Sequence, residues 1–257
     1  MLVALTSDNK RKISYKTSIN EGPFFCPCCG AEVGLKKGDV KIHHFYHLID
    51  NPKCLNKNES DTHLQVKAEM YERFIQFRNC TDVELEKIFK DVRSDIFLYI
   101  DDTPVTIEIQ ASSIRSDVIK KRMEKYSNMG INVLWVLPEM ETFKKNPFDQ
   151  DDFHNLKDWE HVLYELYGER LYYWIAGSTV DAVHFEMDTI WHDGGDYGIS
   201  YPREAKRRCS PAYFRKHLDI ESDFTYTTNT PCTVRTSYGR VELPKYRIFK
   251  DVYEDWW

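Results

Sequence analysis

The stretch that most constrains this chain is Arg93-Ser94-Asp95-Ile96-Phe97-Leu98-Tyr99-Ile100, then a polar turn, then Thr106-Ile107-Glu108-Ile109-Gln110-Ala111-Ser112. Both runs alternate around β-branched and aromatic residues, and Asp101-Asp102-Thr103-Pro104 between them has turn chemistry. Together they predict a hairpin. Each strand carries an acidic residue where a half-buried sheet normally carries an apolar one. A carboxylate left there is costly unless it is paired or holds a metal. Gln110 lies two residues beyond Glu108 and so on the same strand face. Asp95, Glu108 and Gln110 therefore make a candidate Mg²⁺ site, set against the plainer reading of two solvated charges on an edge hairpin.

A chain of 257 residues can hold one substantial core plus a small module, or two modest domains. No apolar run approaches the ~20 residues a membrane-spanning helix needs. Met1-Leu2-Val3-Ala4-Leu5 leads into charge with no cleavage site, so no signal peptide is expected, and the expected location is the cytoplasm. Seven cysteines, an odd number, argue against a disulfide framework there. A net charge of −6 excludes a protein that is basic all over. It leaves room for a nucleic-acid enzyme whose positive charge is confined to one groove.

Phe25-Cys26-Pro27-Cys28-Cys29-Gly30 reads as a zinc knuckle, a tight turn whose sulfurs converge on one point. The second pair of ligands is expected from Lys41-Ile42-His43-His44-Phe45-Tyr46-His47 and Cys54. Cys26, Cys29, His47 and Cys54 would complete a tetrahedral site, with His44 competing for the histidine place and Cys28 as an extra thiol. Such a closed set of four predicts a structural Zn²⁺. The alternative is histidines packed on a strand and inert thiols.

A short strand, a turn around Ser7-Asp8-Asn9-Lys10 and a second strand are expected over residues 1–20. Residues 59–78 predict a helix capped by Ser60 or Asp61, with Leu64, Ala68, Tyr71 and Ile75 as its buried face. His63 and Lys67 lie one turn apart on another face; from spacing alone they read equally well as solvated polar residues. Val83 to Ile88 suggests a strand. A second helix is expected from a Ser112 or Ser113 cap to about Met129, closed by Gly130, with Arg115, Lys120, Lys121, Arg122 and Lys125 making it basic. Ile131 to Leu137 is a near-continuous apolar run, expected as a strand buried on both faces. The order predicts an α/β fold with a mixed sheet. Met140 to Asp152 has linker composition, and 153–257 forms an aromatic-rich C-terminal extension of α+β character, with Cys209 and Cys232 buried or free.

Taken together these residues resemble the CoiA-like competence-protein family, which carries a nuclease core of the PD-(D/E)XK type behind a small zinc-binding segment. The resemblance rests on Leu2-Val3-Ala4-Leu5, Phe25-Cys26-Pro27-Cys28-Cys29, His44-Phe45-Tyr46-His47 and Glu59-Ser60-Asp61-Thr62-His63 with Lys67. It continues through Arg93-Ser94-Asp95, Glu108-Ile109-Gln110-Ala111-Ser112 and Arg122 to Tyr126. It implies a mixed-sheet, restriction-endonuclease-like core over residues 58–140, behind a zinc-ribbon-like segment over 1–57.

The same resemblance implies that Asp95 and Glu108 bind Mg²⁺ or Mn²⁺, with the Ile109 carbonyl as a third ligand. Gln110 stands where the family's wider class usually has Lys, and Lys67 would supply the missing cation. His63 and Glu59 would serve as acid–base or metal-orienting groups. The implied activity is metal-dependent hydrolysis of DNA phosphodiester bonds, in DNA uptake, recombination or defence against foreign DNA. The expected partners are DNA, other defence or recombination proteins and a second copy of the chain. Lys36, Lys37 and Lys41 on the zinc segment are candidates to meet DNA. The rival expectations are a catalytically silent nucleic-acid-binding module and a partner-docking scaffold.

Overall fold

The computed structural model describes residues 1–55, 59–139, 154–167, 170–175 and 179–183, and the backbone of six short strands between residues 208 and 249. Met140 to Asp152, expected as a linker, and the terminal Trp256-Trp257 lie outside the described residues.

The first sheet is built from β1 (Val3–Thr6), β2 (Arg11–Ile13), β3 (Phe24–Phe25), β4 (Glu32–Lys36) and β5 (His44–His47), in the order β2-β1-β3-β4-β5. All its pairings are antiparallel. The expected turn between β1 and β2 is present, with Asn9 at φ 60°, a conformation Asn tolerates. Met1, Ala4, Phe24, Cys26, Val33, Leu35, Phe45 and Cys54 make a small core of their own.

α1 (Asp61–Phe74) starts on Ser60, whose Oγ accepts from the His63 amide at 3.2 Å. It is shorter than the spacing suggests, and Ile75 beyond its end is exposed. Its buried residues include Leu64, Ala68, Met70 and Phe74, and also Lys67.

The second sheet begins with β6 (Cys80–Leu85), β7 (Ile96–Ile100) and β8 (Thr103–Ile109). The β7–β8 hairpin is tighter than the sequence suggests. Ile100 pairs with Thr103, leaving Asp101 and Asp102 as a two-residue loop with φ of 45° and 64°. Two positive φ values in succession mark the turn type that matches strand twist. Pro104 stands near the start of β8, where a proline is tolerated. α2 (Ser116–Asn128) then crosses to β9 (Asn132–Pro138), which lies parallel to β8. Asn132 to Leu137 are all buried, as the apolar run predicts. Gly130 takes φ 70° just past the end of α2.

The cap expected at Ser112 or Ser113 is not formed. The Gln110 amide extends the ladder to the Val136 carbonyl at 2.9 Å, the two serines are exposed, and the cap position falls to Arg115, whose side chain makes no capping bond.

The sheet continues past residue 140. β10 (His154–Asn155) is followed by α3 (Asp158–Leu166), β11 (Leu171–Ile175), β12 (Thr179–Val183), β13 (Arg208–Cys209) and β14 (Arg215–Leu218). α3 is the crossover that brings β11 parallel to β9, and the order runs β14-β12-β11-β9-β8-β7-β6. β15 (Tyr226–Thr228), β16 (Cys232–Thr236), β17 (Gly239–Leu243) and β18 (Arg247–Phe249) follow, with β18 reaching β9. The result is a mixed α/β fold with two main sheets.

β1 joins the two halves. Met1 and Ala4 belong to the small core, whereas Leu2 and Val3 belong to the large one, with Leu64, Ile96, Ile107 and Trp135.

Candidate functional site

His63 and Lys67 lie one turn apart on α1, and Glu59, in the extended segment just before the Ser60 cap, is brought to the same stripe by its contacts with both. The stripe faces the start of β7, and the register of the hairpin, continued one step from Ile96↔Ile107, sets Asp95 opposite Glu108. Lys67, expected equally as a solvated residue, is 0% exposed. Its Nζ lies 2.5 Å from Glu59 Oε1, 2.8 Å from Glu86 Oε1 and 3.3 Å from Asp95 Oδ1. Arg93 lies beside it, with Nη2 2.7 Å from Glu59 Oε1 and Nη1 3.3 Å from Glu86 Oε1. Asp95 Oδ2 accepts from the Ile109 amide at 3.0 Å.

Burial opposes ionisation of all three of these carboxyls, and the surrounding positive charge overcomes it. Arg93 and Lys67 hold Glu59 well below the usual carboxylate range. Lys67 and Arg93 lower Glu86, and His63 and Lys67 hold Asp95 well below that range. Burial alone would push the Lys67 ammonium down, and Glu59, Glu86 and Asp95 raise it instead.

Glu59, His63 and Asp95 each offer one ligand atom, and these atoms all lie within 4.8 Å of one another. His63 Nε2 is 3.1 Å from Asp95 Oδ1 and 3.3 Å from Glu59 Oε1, yet is aligned for a hydrogen bond with neither. Glu59 Oε2 is likewise buried without a hydrogen bond. Two carboxylates suit a hard divalent ion such as Mg²⁺ or Mn²⁺, and the imidazole beside them favours Mn²⁺ of the two. His63 Nε2 and Glu59 Oε2, both buried without a hydrogen bond although the Met1 ammonium lies 3.5 Å from the latter, agree with the same fit.

Glu108 is placed differently from the expectation. Its two oxygens are taken by Arg122 Nη2 and the Tyr126 hydroxyl, both from α2, and it is not part of the three-residue set. Burial raises its pKa, against the pull of Arg122 and with the help of Asp95. At Ile109 the contact seen is the amide on Asp95. Gln110 is folded back, its Nε2 donating to the Ser112 carbonyl.

Glu86, Arg93, Arg122 and Tyr126 are the members to which the sequence assigned no role. Arg93, Arg122 and Tyr126 sit inside motifs that were visible. Glu86 gave no local signal, because its partners are far along the chain. The basic face expected on α2 is largely neutralised: Arg115 and Lys121 pair with Asp117, Lys120 with Glu124 and Lys125 with Asp91.

The second cluster gathers Cys26, Cys29, His47 and Cys54, whose ligand atoms lie within 4.8 Å of one another. Cys26 Sγ is 3.6 Å from Cys54 Sγ, and Cys29 Sγ is 3.4 Å from His47 Nε2. A tetrahedral ion with sulfur ligands about 2.3 Å away spaces its ligands roughly this far apart, so the residues fit a metal. Gly30 at φ 71° gives the turn its left-handed step. His44, the competing ligand, is outside the set. It is three residues from His47 and so on the opposite strand face, with Nδ1 3.0 Å from the Ile42 carbonyl. Cys28 accepts from the Leu55 amide through sulfur at 3.3 Å.

Residues 59–178 match the competence protein CoiA nuclease-like domain, and residues 5–56 match the competence protein CoiA N-terminal domain. The chain belongs to the CoiA-like family. The N-terminal match contains all four residues of the Cys₃His cluster, and the nuclease-like match opens on Glu59 and contains every residue of the acidic cluster. The competence protein CoiA of Bacillus subtilis (strain 168) is 30% identical over 117 residues, which cover 44% of this CoiA-like chain and 31% of that protein. No solved structure matches the chain. Among its described residues no helix is long and apolar enough to cross a membrane.

Proposed function

We propose that this CoiA-like protein is a metal-dependent DNA nuclease, hydrolysing phosphodiester bonds in DNA uptake, recombination or defence against foreign DNA. The observation that carries the reading is the convergence of Glu59, His63 and Asp95 around buried Lys67. The match to a nuclease-like domain and the relative named as a competence protein support it. On this reading Mg²⁺ or Mn²⁺ is held by Glu59, His63 and Asp95. Glu108, in register with Asp95, is the next candidate once Arg122 and Tyr126 release it.

A divalent ion there supplies a water of lowered pKa and neutralises phosphate charge. The chain's own residues prepare the place. The Ile109 amide fixes one Asp95 oxygen and turns the other toward His63 and Lys67. Lys67 has no access to substrate, so it acts by keeping its three carboxylates ionised at neutral pH. His63 has the most exposed side chain of the stripe, at 16%, so as a ligand it would hold the ion at the side of the cluster that opens to solvent. The Cys₃His cluster, with no open ligand position, is assigned to a structural Zn²⁺. DNA is the proposed partner and the cytoplasm the proposed location.

A second reading, a catalytically silent nucleic-acid-binding or partner-docking module, is favoured by Glu108 locked on α2 and Gln110 folded onto Ser112. Purified protein is incubated with linear, circular and single-stranded DNA plus Mg²⁺ or Mn²⁺, beside Asp95→Ala and Glu108→Ala. Cleavage lost in Asp95→Ala supports the nuclease. DNA binding without cleavage in the unmodified protein establishes the silent module. Cleavage that persists in both variants places the chemistry elsewhere.

A further inference from the structure

Glu86 is 0% exposed, carries a charge, and has φ 51°. A left-handed backbone at a residue other than Gly, Asn or Asp is strained, and persists only where its surroundings over-determine it. The surroundings here do so. Glu86 Oε1 accepts from the Leu2 amide at 2.8 Å and Oε2 from the Val3 amide at 3.1 Å. The same Oε1 meets Lys67 Nζ at 2.8 Å and Arg93 Nη1 at 3.3 Å. Its own amide donates to the Asp95 carbonyl at 2.9 Å. One carboxylate thus touches β1, α1 and the segment leading to β7.

β1 in turn is held from the other side. Its Leu5 and Thr6 pair with Phe25 and Phe24, just ahead of Cys26, and the Met1 carbonyl accepts from the Phe45 amide at 2.9 Å, two residues from His47. Met1 and Ala4 pack in the same small core as Cys26 and Cys54.

We propose that Glu86 is a positioning residue that couples the Cys₃His segment to the acidic cluster, so that the integrity of one sets the divalent-metal affinity of the other. The inference rests on the nuclease reading of Glu59, His63 and Asp95. Lys67 shares its positive charge among three carboxylates. With Glu86 removed, that charge falls wholly on Glu59 and Asp95, where it competes with a bound cation. Loosening β1 acts in the same direction, because it withdraws the two amides that fix the Glu86 carboxylate.

The test measures Mn²⁺ affinity by calorimetry and by the Mn²⁺ electron paramagnetic resonance signal, with no DNA present. Four proteins are compared with the unmodified chain: Glu86→Gln, Cys54→Ser, their double variant, and Asp95→Ala. Circular dichroism fixes a temperature at which each is folded. Glu86→Gln is expected to weaken Mn²⁺ binding at least tenfold. Cys54→Ser, which leaves residue 86 and every residue of the acidic cluster untouched, is expected to weaken it several-fold. The double variant is expected to lose well under the product of the two single losses, since both changes act through Glu86 and the Met1 ammonium beside Glu59 is the second link. Wild-type affinity in Glu86→Gln, or losses that multiply in the double variant, would overturn the coupling. Wild-type affinity in Asp95→Ala would overturn the nuclease site itself, which separates the two failures.

Discussion

Replacing Lys67 by Met isolates what the buried cation does. Met keeps most of the volume and removes the charge, leaving Glu59, Glu86 and Asp95 around Arg93 in a largely buried site. At the effective dielectric that fits most protein sites, charges 2.5 to 3.3 Å apart attract by roughly 5–7 kcal/mol before desolvation. The net loss on breaking a buried pair by deleting one partner is smaller, about 3–5 kcal/mol. At ~2–4 °C per kcal/mol in a chain of this size, the melting temperature should fall on the order of 10 °C at pH 7.

The pH dependence gives the sharper test. In the unmodified protein all three carboxyls have pKa values below their unfolded ones. Their contribution is fully present above the unfolded carboxylate range, about pH 4–5, and is lost as the pH falls through the lower folded values. In Lys67→Met the carboxyls lose the one neutralising charge that all three share, and their folded pKa values rise. Acidification from pH 7 toward 5 then relieves repulsion in the variant while the same three carboxylates stay ionised in the parent. Thermal unfolding followed by circular dichroism at pH 7, 6 and 5 should therefore show the gap between the two proteins narrowing. A gap that stays constant, or a melting temperature at pH 7 within 2 °C of the parent, would refute the view of Lys67 as neutraliser of this cluster.

At the Cys₃His cluster, Cys54→Ser should abolish stoichiometric zinc in metal analysis, whereas Cys28→Ser should retain it, because Cys28 bonds to Leu55 and lies outside the ligand set. Gly34→Ala should destabilise the N-terminal sheet by about 1–3 kcal/mol in chemical denaturation, since a Cβ there would come within 2.6 Å of the Tyr46 ring. Charge reversal at Lys36, Lys37 and Lys41 should weaken DNA binding and flatten its salt dependence by up to ~0.9 for each phosphate no longer neutralised; binding that is unchanged removes the zinc segment from the interface.

Local signals carried a good part of this structure. The hairpin, the apolar β9, the Ser60 cap and the cysteine knuckle each follow from neighbours within a few residues, where alternation, capping and ligand spacing act. The choice between His44 and His47 was also within reach, since strand alternation puts only one of them on the same face as buried Phe45. The cap at Ser112 or Ser113 failed because tertiary pairing overrode local preference: the ladder runs on to Gln110 and leaves the serines in a loop. Glu86 was invisible for a stronger reason. It follows Leu85 as one more acidic residue at a strand end, and what buries it is an α1 lysine 19 positions back and two amides more than 80 positions back. No periodicity links such distances.

The same limit applies to Gln110, where the sequence made the missing lysine look like the weak point of the site. In space the question becomes one of local charge. Glu59, Glu86 and Asp95 face Lys67, Arg93 and the Met1 ammonium, which lies 3.5 Å from Glu59 Oε2, so three negative charges meet three positive ones. A divalent cation between Glu59, His63 and Asp95 would make the site net positive, and an approaching phosphodiester would offset only part of that. A lysine at position 110 would add a further cation, and its absence agrees with a site whose positive charge is already supplied from α1, Arg93 and the chain's first residue.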